Sequence, residues 1–90
     1  MRDDVAAGRF EIEEAGQIVF ANYRRDGDHL IIDHVEAPPP LRGTGAAGRL
    51  MEAIVAKAFA ENRSIIPLCA YAAAWLERRQ GGEEGSKSPR

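Results

Sequence analysis

Arg42-Gly43-Thr44-Gly45-Ala46-Ala47-Gly48 is a glycine-rich turn set between a proline run, Pro38-Pro39-Pro40, and the most regular amphipathic stretch of the chain. From about Gly45 to Asn62, residues Leu50, Met51, Ile54, Val55, Ala58 and Phe59 fall on one stripe at helical spacing, with Arg49, Glu52, Lys57 and Glu61 opposite. A helix of that length rises about 27 Å, enough to cross a sheet and return the chain to its starting edge. Asn62 suits a left-handed helix terminator. Ile65-Ile66-Pro67-Leu68-Cys69 then reads as a short, almost wholly apolar strand. A strand–helix–strand unit predicts a parallel, right-handed crossover. Pro67 cannot donate to a ladder, so this strand is expected to be bulged, at an edge, or parted from a neighbour there.

Upstream, Arg9-Phe10-Glu11-Ile12-Glu13 alternates polar and apolar residues with the period of a half-buried strand. Ala15-Gly16 marks a turn, and Ile18 to Tyr23, rich in β-branched and aromatic residues, a second strand. The Asp26-Gly27 pair favours a tight hairpin into a third strand, His29 to Val35. These three segments predict an antiparallel meander, which Pro38-Pro39-Pro40 ends by removing ladder donors. Downstream, Ala70 to Arg79 reads as a second helix with Tyr71, Trp75 and Leu76 on one side. Residues 1–8 are expected as a flexible lead-in, 9–79 as the folded domain and 80–90 as a disordered tail. The fold class is α+β, a meander followed by β-α-β and a C-terminal helix.

Composition narrows the function. Ninety residues make one domain, with 44% apolar residues for a modest core. A net charge of −2, from 12 basic and 14 acidic residues, argues against a general nucleic-acid binder. One cysteine, Cys69, leaves no intramolecular disulfide, and two histidines, His29 and His34, do not make a zinc site, so no metal is expected. The N-terminus carries no signal-like apolar run and no stretch approaches a membrane span, so a cytoplasmic location without membrane contact is the default expectation.

The glycine-rich turn carries the chemistry. The first turn of a helix leaves its N–H groups unpartnered, and the dipole adds positive potential there. A phosphate is the natural guest, and Gly43 and Gly45 let the backbone approach it while Arg42 adds a charge-assisted bond. A Walker loop would need Lys-Ser or Lys-Thr where Arg49-Leu50 follows Gly48. A dinucleotide fingerprint belongs to a doubly wound fold too large for this chain. On the turn alone, a tight loop without a ligand is equally consistent.

Arg42-Gly43-Thr44-Gly45-Ala46-Ala47 resembles the Arg/Gln-x-x-Gly-x-Gly/Ala signature of the GNAT acetyltransferase superfamily. The chain more specifically resembles its short GNAT-like subfamily. His34-Val35-Glu36-Ala37-Pro38 is similar to that subfamily's His-Thr-Glu-Val-Pro, and Pro67-Leu68-Cys69-Ala70-Tyr71 to its Pro-Leu-Cys-Pro-Phe/Tyr. Val35, Ala37 and Ala70 depart from the usual threonine, valine and proline. The resemblance spans roughly residues 9–79. It implies a minimal GNAT-like fold in which the strands flanking the turn and helix splay apart, with pantetheine of acetyl-CoA between them. Val35, Glu36 and Ala37 would then present backbone to the cofactor arm, and the amides of Arg42, Gly43, Thr44, Gly45, Ala46 and Ala47 would hold the pyrophosphate.

Acetyl transfer to an amine needs a polarised thioester carbonyl, a base for the amine and a proton for the thiolate. Glu36 and His34, at the expected mouth of the gap, are candidate bases, or else a solvated carboxylate and a hydrogen-bonded histidine. Cys69 stands where the second splayed strand meets a helix, a place that favours a thiolate able to take the acetyl group, or it is a small buried hydrophobe. Tyr71 is a candidate donor to the leaving thiolate, or core. The expected function is an acetyl-CoA-dependent N-acetyltransferase acting on an amine acceptor, with a non-catalytic acyl-CoA-binding module as the alternative.

Overall fold

The computed structural model describes the backbone of residues 1–87 and the side chains of residues 1–79. The strands are β1 (Arg2–Asp4), β2 (Arg9–Glu14), β3 (Gln17–Asp26), β4 (His29–Glu36) and β5 (Ser64–Pro67). The helices are α1 (Ala46–Ala60) and α2 (Ala70–Lys87), with a short 3-10 helix at Pro39–Leu41. The sheet runs β1-β2-β3-β4-β5, antiparallel except for the final parallel pair β4–β5. The meander and the crossover are those the sequence implies.

Three expectations are corrected. Residues 1–8 are not a loose lead-in: Arg2–Asp4 pairs with Arg9–Glu11 as a fifth strand. It is tied down by side chains, since Asp3 accepts from Tyr23 Oη (2.5 Å) and from Arg25 Nη2 (2.9 Å). Phe59 leaves the buried stripe and is 84% exposed. One position past Ala58 turns about 100° further round the helix, away from the sheet. The last helix continues past Arg79 to Lys87. The tail expectation for 80–90 concerns positions whose side chains lie outside the described residues, as 88–90 do altogether.

The core forms where the alternating strand residues Phe10, Val19, Ala21, Tyr23, Leu30 and Ile32 meet Leu50, Met51, Ile54 and Ala58 of α1 and Ala72 of α2. Phe10 and Tyr23 stack at 4.1 Å between centroids. At the far end of α1, Asn62 adopts φ 56° and Arg63 N–H donates back to the Ala58 carbonyl (2.9 Å), which closes the helix and turns the chain into β5. Arg25 fastens this corner by donating to both oxygens of Glu61 (2.9 and 2.8 Å) as well as to Asp3 and Tyr23.

Two outcomes follow from this framework. Ala15 holds the left-handed φ of 51° in the β2–β3 turn beside Gly16, a position that asparagine tolerates better. Ala15→Asn is expected to raise unfolding free energy by about 0.5–1 kcal/mol in urea titration. Hydrogen bonds from Arg25 hold the Glu61 carboxyl at about 2, far below the ordinary 4.5. Its contribution is therefore complete above pH 4.5 and is lost as the pH falls toward about 2. Glu61→Gln should flatten the acid limb of the stability curve by about 1–2 kcal/mol, read by unfolding at pH 2.5–6.

Candidate functional site

The site begins where β4 and β5 part. Their register runs from His29↔Ser64 to Ile32↔Pro67, and the last bond joins Leu68 N–H to the Ile32 carbonyl (2.9 Å). Beyond it β4 continues to Glu36, paired with β3 only, through Asn22↔His34, Ala21↔Val35 and Phe20↔Glu36. Among the described residues, no strand pairs with the other edge of residues 33–36. A register shift at Asn22/Tyr23 leaves Asp33 as an extra residue, pinned by two bonds from Arg24 (2.8 and 2.7 Å).

Past this free edge, prolines stiffen the exit and the 3-10 helix buries Leu41. Arg42 Nε donates to the Ala37 carbonyl (3.1 Å), closing the corner between strand and turn. Thr44 turns inward: its Oγ1 donates to the Leu41 carbonyl (2.6 Å) and accepts from Ala46 N–H (3.3 Å). Gly45 caps α1 with φ 88°, a conformation open to glycine. Among the described residues, the amides of Gly43, Gly45, Ala47 and Gly48 find no intramolecular acceptor, and the first turn of α1 contains no acidic side chain. Four free donors at the positive end of a fifteen-residue helix make a seat for an anion.

Free edge and seat border one cavity of about 620 Å³. His34, Val35, Glu36 and Ala37 line it from β4 and its exit, while Leu41, Arg42, Gly43, Gly45, Ala46, Ala47 and Gly48 line it from the turn and α1. Tyr71 of α2 closes the side. Ten of the residues singled out from the sequence thus border one space. Thr44 and Cys69 do not line it; Thr44 braces the loop from within, and Cys69 is partly buried against the core, its carbonyl accepting from Ala73 N–H at the start of α2 (3.0 Å). His34 and Glu36, each a candidate base on sequence grounds, form one pair: Nε2 and Oε1 are 2.9 Å apart. That bond from His34 holds the Glu36 carboxyl below its usual value. Burial pushes the Tyr71 phenol up, so at neutral pH it remains a proton donor.

Leu41 and Gly48 join the lining without having been singled out by the sequence. Gly48 has a readable signal, being the third small residue after the helix cap. A Cβ on it would stand 3.2 Å from Trp75 Nε1 and 3.8 Å from the Tyr71 hydroxyl, so its absence lets α2 lie against the first turn of α1. Among the described residues, no three His, Cys, Asp or Glu side chains gather to hold a metal ion, and no helix is long and apolar enough to cross a membrane.

A family model described as GCN5-related N-acetyl-transferase matches residues 9–83. The match takes in the meander, the turn, α1, β5 and much of α2. No curated protein matches this chain.

The close approach at Gly48 is testable. Gly48→Ala gains about 1 kcal/mol of helix propensity against a contact of 3.2 Å, and should leave stability within about 1 kcal/mol of wild type. Gly48→Val must push Trp75 and Tyr71 aside and should cost about 1–3 kcal/mol, with a shift in tryptophan emission measured during urea unfolding.

Proposed function

The chain belongs to the GCN5-related N-acetyltransferase family, and from that premise we propose that it transfers an acetyl group from acetyl-CoA to an amine. The observation that carries this reading is a single cavity bordered by an unpaired strand edge and by four unpartnered amides. The amides of Gly43, Gly45, Ala47 and Gly48 hold the pyrophosphate, and Arg42 adds charge at the entrance. The peptide groups of Val35 to Ala37 receive the pantetheine amides as a neighbouring strand would.

Acetyl-CoA, when bound, supplies a thioester carbonyl open to attack. An ammonium must first lose a proton, and the His34–Glu36 pair stands on the cavity wall to take it, with Glu36 orienting the imidazole. Tyr71, protonated and facing the same cavity, gives its hydroxyl proton to the departing thiolate. Cys69 lies outside the lining, which favours direct transfer over an acetyl-cysteine intermediate. A second reading, an acyl-CoA-binding module without turnover, draws support from the architecture. Both helices serve the one core, and Arg9, Glu11, Phe20 and Arg24 on the other side of the sheet remain partly or wholly exposed, with no wall among the described residues to enclose a small acceptor.

Calorimetric titration with acetyl-CoA should give saturable binding, lost in Gly45→Asp; no heat at millimolar ligand would refute the proposal. Thiol release with a panel of amines separates the two readings. Tyr71→Phe and His34→Gln should each lower kcat by about 10²-fold with KM for acetyl-CoA little changed. Cys69→Ala should retain turnover, and an acetyl adduct on the wild type that this variant lacks would reinstate the covalent route.

A further inference from the structure

The peptide joining Thr44 to Gly45 decides whether the turn meets an anion with a donor or with an acceptor. A trans peptide points its C=O and N–H to opposite sides. Gly45 lines the cavity and its N–H has no intramolecular acceptor, whereas the Thr44 carbonyl accepts from Arg49 Nη2 (3.2 Å). Arg49 is absent from the cavity lining, so it grips the turn from outside that space. Its guanidinium is in turn held by both oxygens of Glu14, Nε to Oε2 at 2.7 Å and Nη2 to Oε1 at 2.8 Å. Glu14 is the last residue of β2, anchored by its pairing with Gln17. The planar guanidinium suits this double grip, because one edge meets the carboxylate while Nη2 also reaches a carbonyl.

We propose that Arg49, braced by Glu14, is a positioning residue that fixes the Thr44 carbonyl away from the cavity and thereby keeps the Gly45 N–H turned toward a bound phosphate. The need for such a restraint lies in the glycine itself. At φ 88° Gly45 has neighbouring conformations within easy reach, and rotation of this one peptide would turn a carbonyl oxygen on the anion. The end of β2, remote in sequence from the signature loop, thus sets the loop's polarity. The inference rests on the acyl-CoA reading of the same turn.

The test compares Arg49→Leu, Glu14→Gln and the reciprocal pair Glu14→Arg/Arg49→Glu, using acetyl-CoA and inorganic pyrophosphate as probes. The reciprocal pair restores the ion pair but puts a carboxylate, which cannot donate, beside the Thr44 carbonyl. Its Tm should return toward wild type while acetyl-CoA binds about tenfold more weakly, as in Arg49→Leu. Glu14→Gln, which removes only the brace, should show a smaller loss of the same sign. The wild-type Gly45 amide should shift on pyrophosphate addition in 1H–15N spectra, and the shift should shrink in the reciprocal pair. Wild-type affinity in the reciprocal pair, or in Arg49→Leu, overturns the proposal. Wild type that binds pyrophosphate but not acetyl-CoA defeats the acyl-CoA reading alone, and the variants are then compared on pyrophosphate; binding of neither probe defeats both.

Discussion

The bond from Leu68 N–H to the Ile32 carbonyl is the last rung between the two parallel strands, and everything proposed for this protein depends on there being no further one. Two features impose the stop. Pro67, opposite Ile32, ends β5 with a residue that has no N–H, and the helix beginning at Ala70 turns the chain away. β4, held on its other side by β3, runs on for four residues. A strand edge without a partner is ordinarily a liability, open to pairing with whatever arrives. Here it borders the same cavity as a row of unpaired amides, so strand edge and helix start face one space.

The supports of this arrangement are distributed along the chain. The core under α1 is small, built from aliphatic residues and one aromatic stack. Arg25 collects Asp3, Tyr23 and Glu61, joining the first strand, the third and the end of α1 at a single guanidinium. Arg49 does the same at the opposite end of α1, joining Glu14 to the Thr44 carbonyl. Both ends of the helix are thus tethered to the meander by arginine forks. In a chain of 90 residues, where the apolar core is limited, such partly exposed ties carry a larger share of the positioning than of the stability.

Much of this was legible in the sequence because the relevant signals are local. Alternation marked β2, β-branched and aromatic content marked β3, an Asp-Gly turn signal marked the way into β4, helical spacing marked α1, and prolines marked where ladder bonding ends. The glycine pattern marked the turn whose amides are left without intramolecular acceptors, because free amides at a helix start need only small residues nearby. What stayed hidden is long-range. The pairing of Arg2–Asp4 depends on Arg25 and Tyr23, some twenty residues away, and nothing in the first eight residues announces it. Phe59 fits an apolar stripe until the helix is seen to bury Leu50, Met51, Ile54 and Ala58 and to turn Phe59 outward. Glu14 and Arg49, 35 positions apart, meet only once the hairpin turn is folded back beside α1. Gly48 reads as another small residue in a slim helix until Trp75 is found against it.

The parallel pairing of β4 with β5 also orders the assembly of the chain. The hairpins β2–β3 and β3–β4 close through two-residue turns, whereas β4 and β5 can meet only after the whole stretch between Glu36 and Ser64 is gathered in. Loop closure over that distance costs more entropy than a tight turn, and its reward arrives late. Topology therefore favours early closure of the meander over early closure of the crossover. The cleft is bordered by β4, by the turn and α1, and by Tyr71 of α2, so its walls are complete only once the crossover and the start of α2 have been gathered onto the meander.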